Sequence, residues 1–268
     1  MTKQLMIYEQ VVPISLSRHK ELCVQSGIPY DFARELRAVP LVAEEIPFAA
    51  REYTVVFAVT DKEGSVSPFV ILGVKDKQNL YVSSEGEWTA KYIPAFIRRY
   101  PFVFSTGDGG KTFTLCIDET WQGCNQEGRG ERLFTDAGER TPFVDRLLKF
   151  NEEYQRSAQR TALFSKKLQE LNLLDSKQAK LTLGTGEELT LTGFMVVDRA
   201  KLTELAPESL SELAKNGILD LIYAHLLSMG NLASVAERLA GRSPVEPAAQ
   251  PASTTSEPSS ASDTGEMA

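Results

Sequence analysis

The sequence predicts an α+β fold: a mixed or antiparallel β-rich core with one inserted helix, then a long helix, a β-hairpin and a helical C-terminal part. Three observations carry this. Between Tyr53 and Asp118, short β-branched and aromatic runs alternate with Gly- and Asp-rich turn signals. From Thr141 to about Leu174, apolar residues recur at helical spacing. Beyond Arg199 helical spacing returns, interrupted at Asn216-Gly217.

The elements follow in order. Residues 1–50 alternate apolar stretches with Pro13, Pro29, Pro40 and Pro47, which predicts extended, wrapping segments, because a residue before proline leans away from the helical region. His19 to Leu22 starts a short strand or turn. Tyr53–Thr60 and Pro68–Val74 are strands around the turn Asp61 to Gly64, and Leu80–Ser83 is a third. Trp88 to Tyr100 is a helix with Pro94 in its first turns, closed by Pro101. Phe102–Thr106 and Thr112–Asp118 form a hairpin, and residues 119–140 are loop-like. Thr141-Pro142 offers an N-cap and a proline at the first helical position. Lys180–Leu183 and Glu188–Val197 form a second hairpin. Arg199–Leu205, Glu208–Lys215, Ile218–Met229 and Leu232–Leu239 are helical, the third apolar around most of its circumference and so expected to be buried.

Residues 1–242 are expected to form one domain, β-rich over 1–140 and helical with a hairpin over 141–242. The last 26 residues hold four Pro, six Ser, three Thr and five Ala, with three Glu, one Asp and no Lys or Arg. Such a segment buries too little apolar surface to offset its ordering entropy, so 243–268 is expected to be a disordered acidic tail.

The whole chain, 268 residues at net charge −7, has too little basic surface for broad nucleic-acid binding. The apolar runs Val55–Val59 and Phe69–Val74 are far shorter than the ~20 residues of a membrane helix, so no span is expected. Three cysteines and two histidines predict neither a disulfide scaffold nor a metal site, and no cofactor motif is present. Met1 to Tyr8 has no apolar leader core, which with the odd thiol count predicts a cytoplasmic protein with free thiols; non-classical export to the surface is the alternative.

Motifs that resemble chemistry fall to simpler readings. Gly107 to Thr112 lacks the first glycine of a phosphate loop and leads into a strand rather than a helix. Gly184-Thr185-Gly186 is a turn. His225 lies in the most apolar helix and is expected to be a satisfied core histidine. Cys116 sits in a strand, and Cys124, in a loop, is the thiol expected to be more reactive.

The most unusual stretch is Trp88 to Phe102. On a helix, Trp88, Tyr92, Ala95 and Arg99 share a narrow arc, whereas Arg98 diverges. An aromatic face ending in arginine suits recognition. It equally suits a helix packed on the sheet with its arginines paired to Glu44, Glu45, Asp118 or Glu119, Arg99 being the one expected to be structural.

The segments Pro40-Leu-Val-Ala-Glu-Glu-Ile-Pro47, Leu72-Gly73-Val74 with Asn79-Leu-Tyr-Val82, Gly86-Glu-Trp88 with Tyr92-Ile-Pro-Ala95, Ile97-Arg-Arg-Tyr-Pro-Phe102, Cys116-Ile-Asp-Glu119, Gly130-Glu-Arg-Leu-Phe134 and Tyr223-Ala-His-Leu-Leu-Ser-Met229 occur in this order. In them the chain resembles the SapC family of S-layer-related bacterial proteins, over about residues 1–240. The resemblance implies a link to bacterial surface layers and brings no catalytic residues.

The leading expectation is a non-catalytic binding or accessory protein with a protein partner or envelope component as its target. Its candidate binding residues are Trp88, Tyr92, Arg98, Arg99, Asp118 and Glu119. The alternatives are a small-molecule sensor or carrier, or an enzyme using Cys124, His19 or His225 with Asp118 or Glu119.

Overall fold

The computed structural model describes residues 6–107, 112–182, 186 and 188–241; the tail expected at 243–268 lies outside them. The N-terminal segment is extended at Pro13 and Pro40, as expected, but Pro47 lies in a helical turn, where its missing N–H costs nothing in the first turn. It comprises Val11–Pro13 (β1), the helical turn Leu16–His19 (α1), Cys23–Val24 (β2), Ala38–Pro40 (β3) and Ile46–Ala49 (α2). His19 ends a helical turn, and the turn expected after it falls at Lys20 and Glu21, ahead of β2. Val55–Val59 (β4) and Val66–Ile71 (β5) form the first hairpin, with Val55 opposite Val70.

The next segment differs from expectation. Leu80–Ser83 is no strand; an isolated bridge joins Val82 to Trp88. The helix expected over Trp88 to Tyr100 shrinks to Ala95–Arg98 (α3). The physical reason is that competing acceptors hold the backbone donors of Thr89, Lys91 and Tyr92. The Thr89 N–H donates to the Tyr81 carbonyl at 2.8 Å. Those of Lys91 and Tyr92 donate to the Glu52 carboxylate, each at 2.9 Å. Ile93, preceding Pro94, is then biased toward extended backbone.

Phe102–Gly107 (β6) pairs antiparallel with Thr112–Asp118 (β7) as expected, and residues 108–111 between them lie outside the described residues. Cys124–Asn125 (β8) and Glu131–Arg132 (β9) flank β2 in a small sheet. Pro142–Glu170 (α4) follows, but the Thr141 hydroxyl donates to the Arg132 carbonyl at 2.7 Å instead of capping the helix. The helix ends four residues before the expected Leu174. Asn172 takes a left-handed φ of 52°, and its N–H and that of Leu173 return to the Gln169 and Leu168 carbonyls, each at 2.9 Å. This is an asparagine-based Schellman stop.

Leu174–Thr182 (β10) and Glu188–Val197 (β11) form the second hairpin. Arg199–Thr203 (α5), Pro207–Lys215 (α6), Ile218–Ser228 (α7) and Leu232–Leu239 (α8) close the described chain. Among the described residues three antiparallel sheets form: β1-β7-β6, β8-β2-β9, and a central β10-β11-β4-β5-β3. The predicted α+β architecture is the one observed.

The long α4 links two cores. Its N-terminal half places Val144, Leu147 and Leu148 against Phe102, Leu115 and Ile117. Its C-terminal half places Phe164 and Leu168 among Val55, Phe57, Val70 and Leu72 of the central sheet. The segment between the two halves flanks a cleft.

α7 buries one stripe only: Ile222, His225 and Ser228 face inward, whereas Tyr223 is 43% and Leu227 78% exposed. The stretch Ile218–Leu239, 22 residues with mean hydropathy 1.3, meets the length and composition of a membrane-crossing helix, a run that the expectation of no span passed over. Here it is broken by a 3-10 turn at Met229–Asn231. The Asn231 amide donates to the carbonyls of Ala50 and Tyr53, each at 2.8 Å.

His225 explains how α7 and the sheet lock together. β11 and β4 pair at Met195 and Phe57, which would place Val197 opposite Val55. The imidazole stands in for that rung. Its Nε2 accepts the Val197 N–H at 3.0 Å, and its Nδ1–H donates to the Val55 carbonyl at 2.9 Å. Ser228 adds to the clamp, its hydroxyl accepting the Val55 N–H at 3.0 Å.

Candidate functional site

Three segments converge on a cleft of about 340 Å³. The turn before α2 and α2 itself supply Val42, Glu44, Glu45 and Phe48. The loop into α3 supplies Tyr92, Ala95 and Arg98. The middle of α4 supplies Phe150, Glu153, Tyr154 and Ser157, one helical face at three- and four-residue spacing.

Glu45 organises the cleft from below. It is 5% exposed, and its carboxylate reaches back to accept the Val42 N–H at 3.1 Å, closing the turn. The other oxygen accepts the Tyr92 hydroxyl at 2.5 Å and the Ala95 N–H at 2.7 Å. One carboxylate thus ties the turn to the foot of α3. Burial first, then the Glu45 charge and hydrogen bond, push the Tyr92 phenol well above its ordinary pKa, so it stays a donor.

Arg98 forms the cleft wall. Its Nε donates to the Ile93 carbonyl at 2.9 Å. Its guanidinium lies 5.8 Å from the Tyr92 ring centre and 5.5 Å from that of Phe150. A terminal nitrogen reaches Glu45 at 3.7 Å, and 44% of the side chain remains open. Phe48, 52% exposed, lies nearly parallel to Tyr92 at 5.9 Å.

Two of the six predicted residues, Tyr92 and Arg98, thus meet in the cleft, and four lie elsewhere. The shared arc of Trp88, Tyr92 and Arg99 does not exist, because residues 88–94 are not helical. Trp88 donates through Nε1 to the Tyr53 hydroxyl at 2.8 Å and packs edge-on against Tyr30.

Arg99 is the buried arginine of the pair, 8% exposed, but no carboxylate pairs with it among the described residues. Its guanidinium sits 4.5 Å from the Tyr154 ring centre, 4.7 Å from Phe96 and 6.0 Å from Tyr8, and its buried Nε has no hydrogen-bond partner. The expected carboxylate partner is therefore replaced by aromatic faces. Arg99→Met, which keeps the volume and removes a buried charge, should leave the urea midpoint unchanged or raise it. A fall equivalent to ~3 kcal/mol would contradict this ring-enclosed picture.

Asp118 and Glu119 serve the N-terminal segment. Asp118, fully buried, accepts the N–H groups of Glu9 at 2.7 Å, Gln10 at 3.2 Å and Thr120 at 3.2 Å, and the Thr120 hydroxyl at 2.7 Å. Burial alone would raise its pKa; these hydrogen bonds outweigh burial and hold it below the ordinary value. Glu119 takes a two-point contact from Arg18, and His19 Nε2 lies 2.9 Å away. The Arg18 hydrogen bond is the main cause of its lowered pKa.

Cys124 lies in β8, half-buried, with its thiol pushed up to about 11 by burial and by the Asp118 and Glu119 charges. This corrects its placement in a loop; it remains the least buried of the three cysteines, although little of it is thiolate, the nucleophilic form, at neutral pH. Native protein at pH 8 should therefore react with a disulfide reagent far more slowly at Cys124 than unfolded protein does. Equal rates would contradict the burial.

Sequence reasoning missed Phe48, Phe150 and Tyr154, and treated Glu45 only as a possible arginine partner. The i, i+4 pair Phe150 and Tyr154 on an otherwise polar helical stretch was the available signal.

The fold and cleft define a mixed α+β protein with an aromatic, charge-lined concavity; among the described residues no cluster of His, Cys, Asp and Glu could hold a metal ion. The family model described as SapC matches residues 14–235, a span that includes every cleft residue, and the chain belongs to this family. No curated protein and no solved structure matches it.

Proposed function

We propose that the chain is a non-catalytic binding or accessory protein that recognises its target through the Phe48–Arg98 cleft. The observation that carries this reading is the pairing of an open arginine and an open phenylalanine over a saturated, buried carboxylate. Exposed aromatic rings and half-open arginines are the groups in which recognition sites are enriched. Glu45, in contrast, has its oxygens engaged in holding the scaffold. The name of the SapC family as S-layer-related supports a bacterial target bound for the envelope, met in the cytoplasm or after non-classical export. The concavity of the site favours a small ligand over a flat protein partner.

Affinity capture with cross-linking from the native cell, run beside fractionation into cytosol and envelope, tests the reading. Arg98→Ala and Phe48→Ala should each reduce capture of the wild-type target at least about fivefold, with a stability cost of about 1 kcal/mol or less. Undiminished capture by both variants would overturn it.

A further inference from the structure

We infer that this cleft binds a small organic carboxylate, a monoanion that carries an aromatic or bulky apolar body. The inference rests on the binding reading and adds the ligand's chemistry.

Arg98 is the anchor, the one cation among the residues that line the cleft. Its Nε is fixed on the Ile93 carbonyl, and the Tyr92 and Phe150 rings hold the guanidinium. Among the described residues its terminal nitrogens make no hydrogen bond, and the one nearer Glu45 stands 3.7 Å away. Glu45 is 5% exposed whereas 44% of the Arg98 side chain is open, so the acid lies beneath the arginine and leaves the outer N–H groups for a ligand. A pair of terminal guanidinium N–H groups matches the two oxygens of a carboxylate.

The charges around the cleft favour an anion. Arg51 stands 5.9 Å from the Phe48 ring centre and Arg99 stands 4.5 Å from that of Tyr154; among the described residues neither has a carboxylate partner. Burial pushes the Tyr154 phenol up, and of the two charges acting on it, that of Arg99 outweighs that of Glu45. Glu44 is engaged by Arg160 at 3.4 Å, which leaves exposed Glu153 as the opposing charge on the rim. A single lining guanidinium suits one negative charge better than the two of a phosphate monoester.

Anchor and apolar surface are contiguous. The guanidinium lies 5.8 Å from the Tyr92 ring centre and 5.5 Å from that of Phe150, and Phe48 continues the row 5.9 Å beyond Tyr92. A carboxylate held on Arg98 therefore sets a body attached through a short linker against these rings. At about 340 Å³ the space lies at the small end of ligand pockets, which span roughly 300–1,000 Å³.

The probes are 3-phenylpropionate, its neutral amide, phenethylamine and phenyl phosphate. Each is titrated into the full chain while the Arg98 Nε–H and the Phe48 and Ala95 resonances are followed by NMR. 3-Phenylpropionate should shift all three saturably. The amide, which keeps the body and removes the charge, should bind about tenfold more weakly. Arg98→Gln, with its urea midpoint confirming the fold, should lose at least as much affinity for the carboxylate and little for the amide. Glu153→Gln should tighten carboxylate binding about twofold by removing a like charge. Weaker binding to Glu153→Gln would overturn the proposal in favour of a ligand that carries a positive group. Equal or tighter binding of the amide would overturn it in favour of an uncharged apolar site, of phenethylamine in favour of a cation site, and of phenyl phosphate in favour of a phosphate site. No saturable shift from any probe up to about 10 mM would overturn the ligand assignment, while the capture experiment decides the binding reading separately.

Discussion

His225→Ala should cost about 4 kcal/mol of stability. It strips the partner from two buried backbone groups at once, the Val197 N–H and the Val55 carbonyl, and leaves a cavity beside Phe57. The same residue sets a pH dependence. Burial pulls its pKa from 6.5 down to about 4, against the smaller opposing effect of its bond to the Val55 carbonyl. Because the folded value is lower, the unfolded chain takes up the proton first. The contribution is complete above pH ~6.5 and is lost as pH falls toward ~4, a change of about 3 kcal/mol. Urea midpoints of wild type and His225→Gln at pH 8, 6 and 4.5 check this. The variant should be weaker at pH 8 and lose less on acidification; parallel pH profiles would contradict the buried clamp.

Glu45→Ala should cost about 3–5 kcal/mol, because it leaves the Val42 and Ala95 N–H groups and the Tyr92 hydroxyl without their shared acceptor. Glu45→Gln, which keeps one acceptor oxygen, should cost about 1–2 kcal/mol. It should nonetheless loosen α3 against α2, so binding in the cleft should fall in a protein that still folds. Urea midpoints combined with near-ultraviolet circular dichroism separate the two effects. A Glu45→Ala protein as stable as wild type would show that the carboxylate does not hold the cleft.

The sequence was most legible where period and turn chemistry act locally. β4, β5, the β6–β7 hairpin and α4 follow from apolar runs bounded by Gly, Asp and Pro. It was least legible where distant groups decide. Trp88 to Tyr92 has helical spacing, yet Glu52, far away in sequence, takes the Tyr92 N–H that a helix begun at Trp88 would need for its first bond. The site suffered from the same limit. Tyr92 and Arg98 were visible as an aromatic–arginine block, but their joining with Phe48 and Phe150 depends on Glu45 and on the path of α4. Arg99 looked like an ion-pair partner because a sequence shows charges and not the rings around them.

The most direct measurement of the central claim is site-specific photo-cross-linking in the native cell. A photoreactive aromatic residue replaces Phe48 in the cleft in one protein, and Leu227 on the exposed face of α7 in another. The account predicts an adduct from position 48 that disappears when Arg98→Ala is added, and none from position 227. An adduct from position 227 with none from position 48 would place recognition on α7 and contradict it.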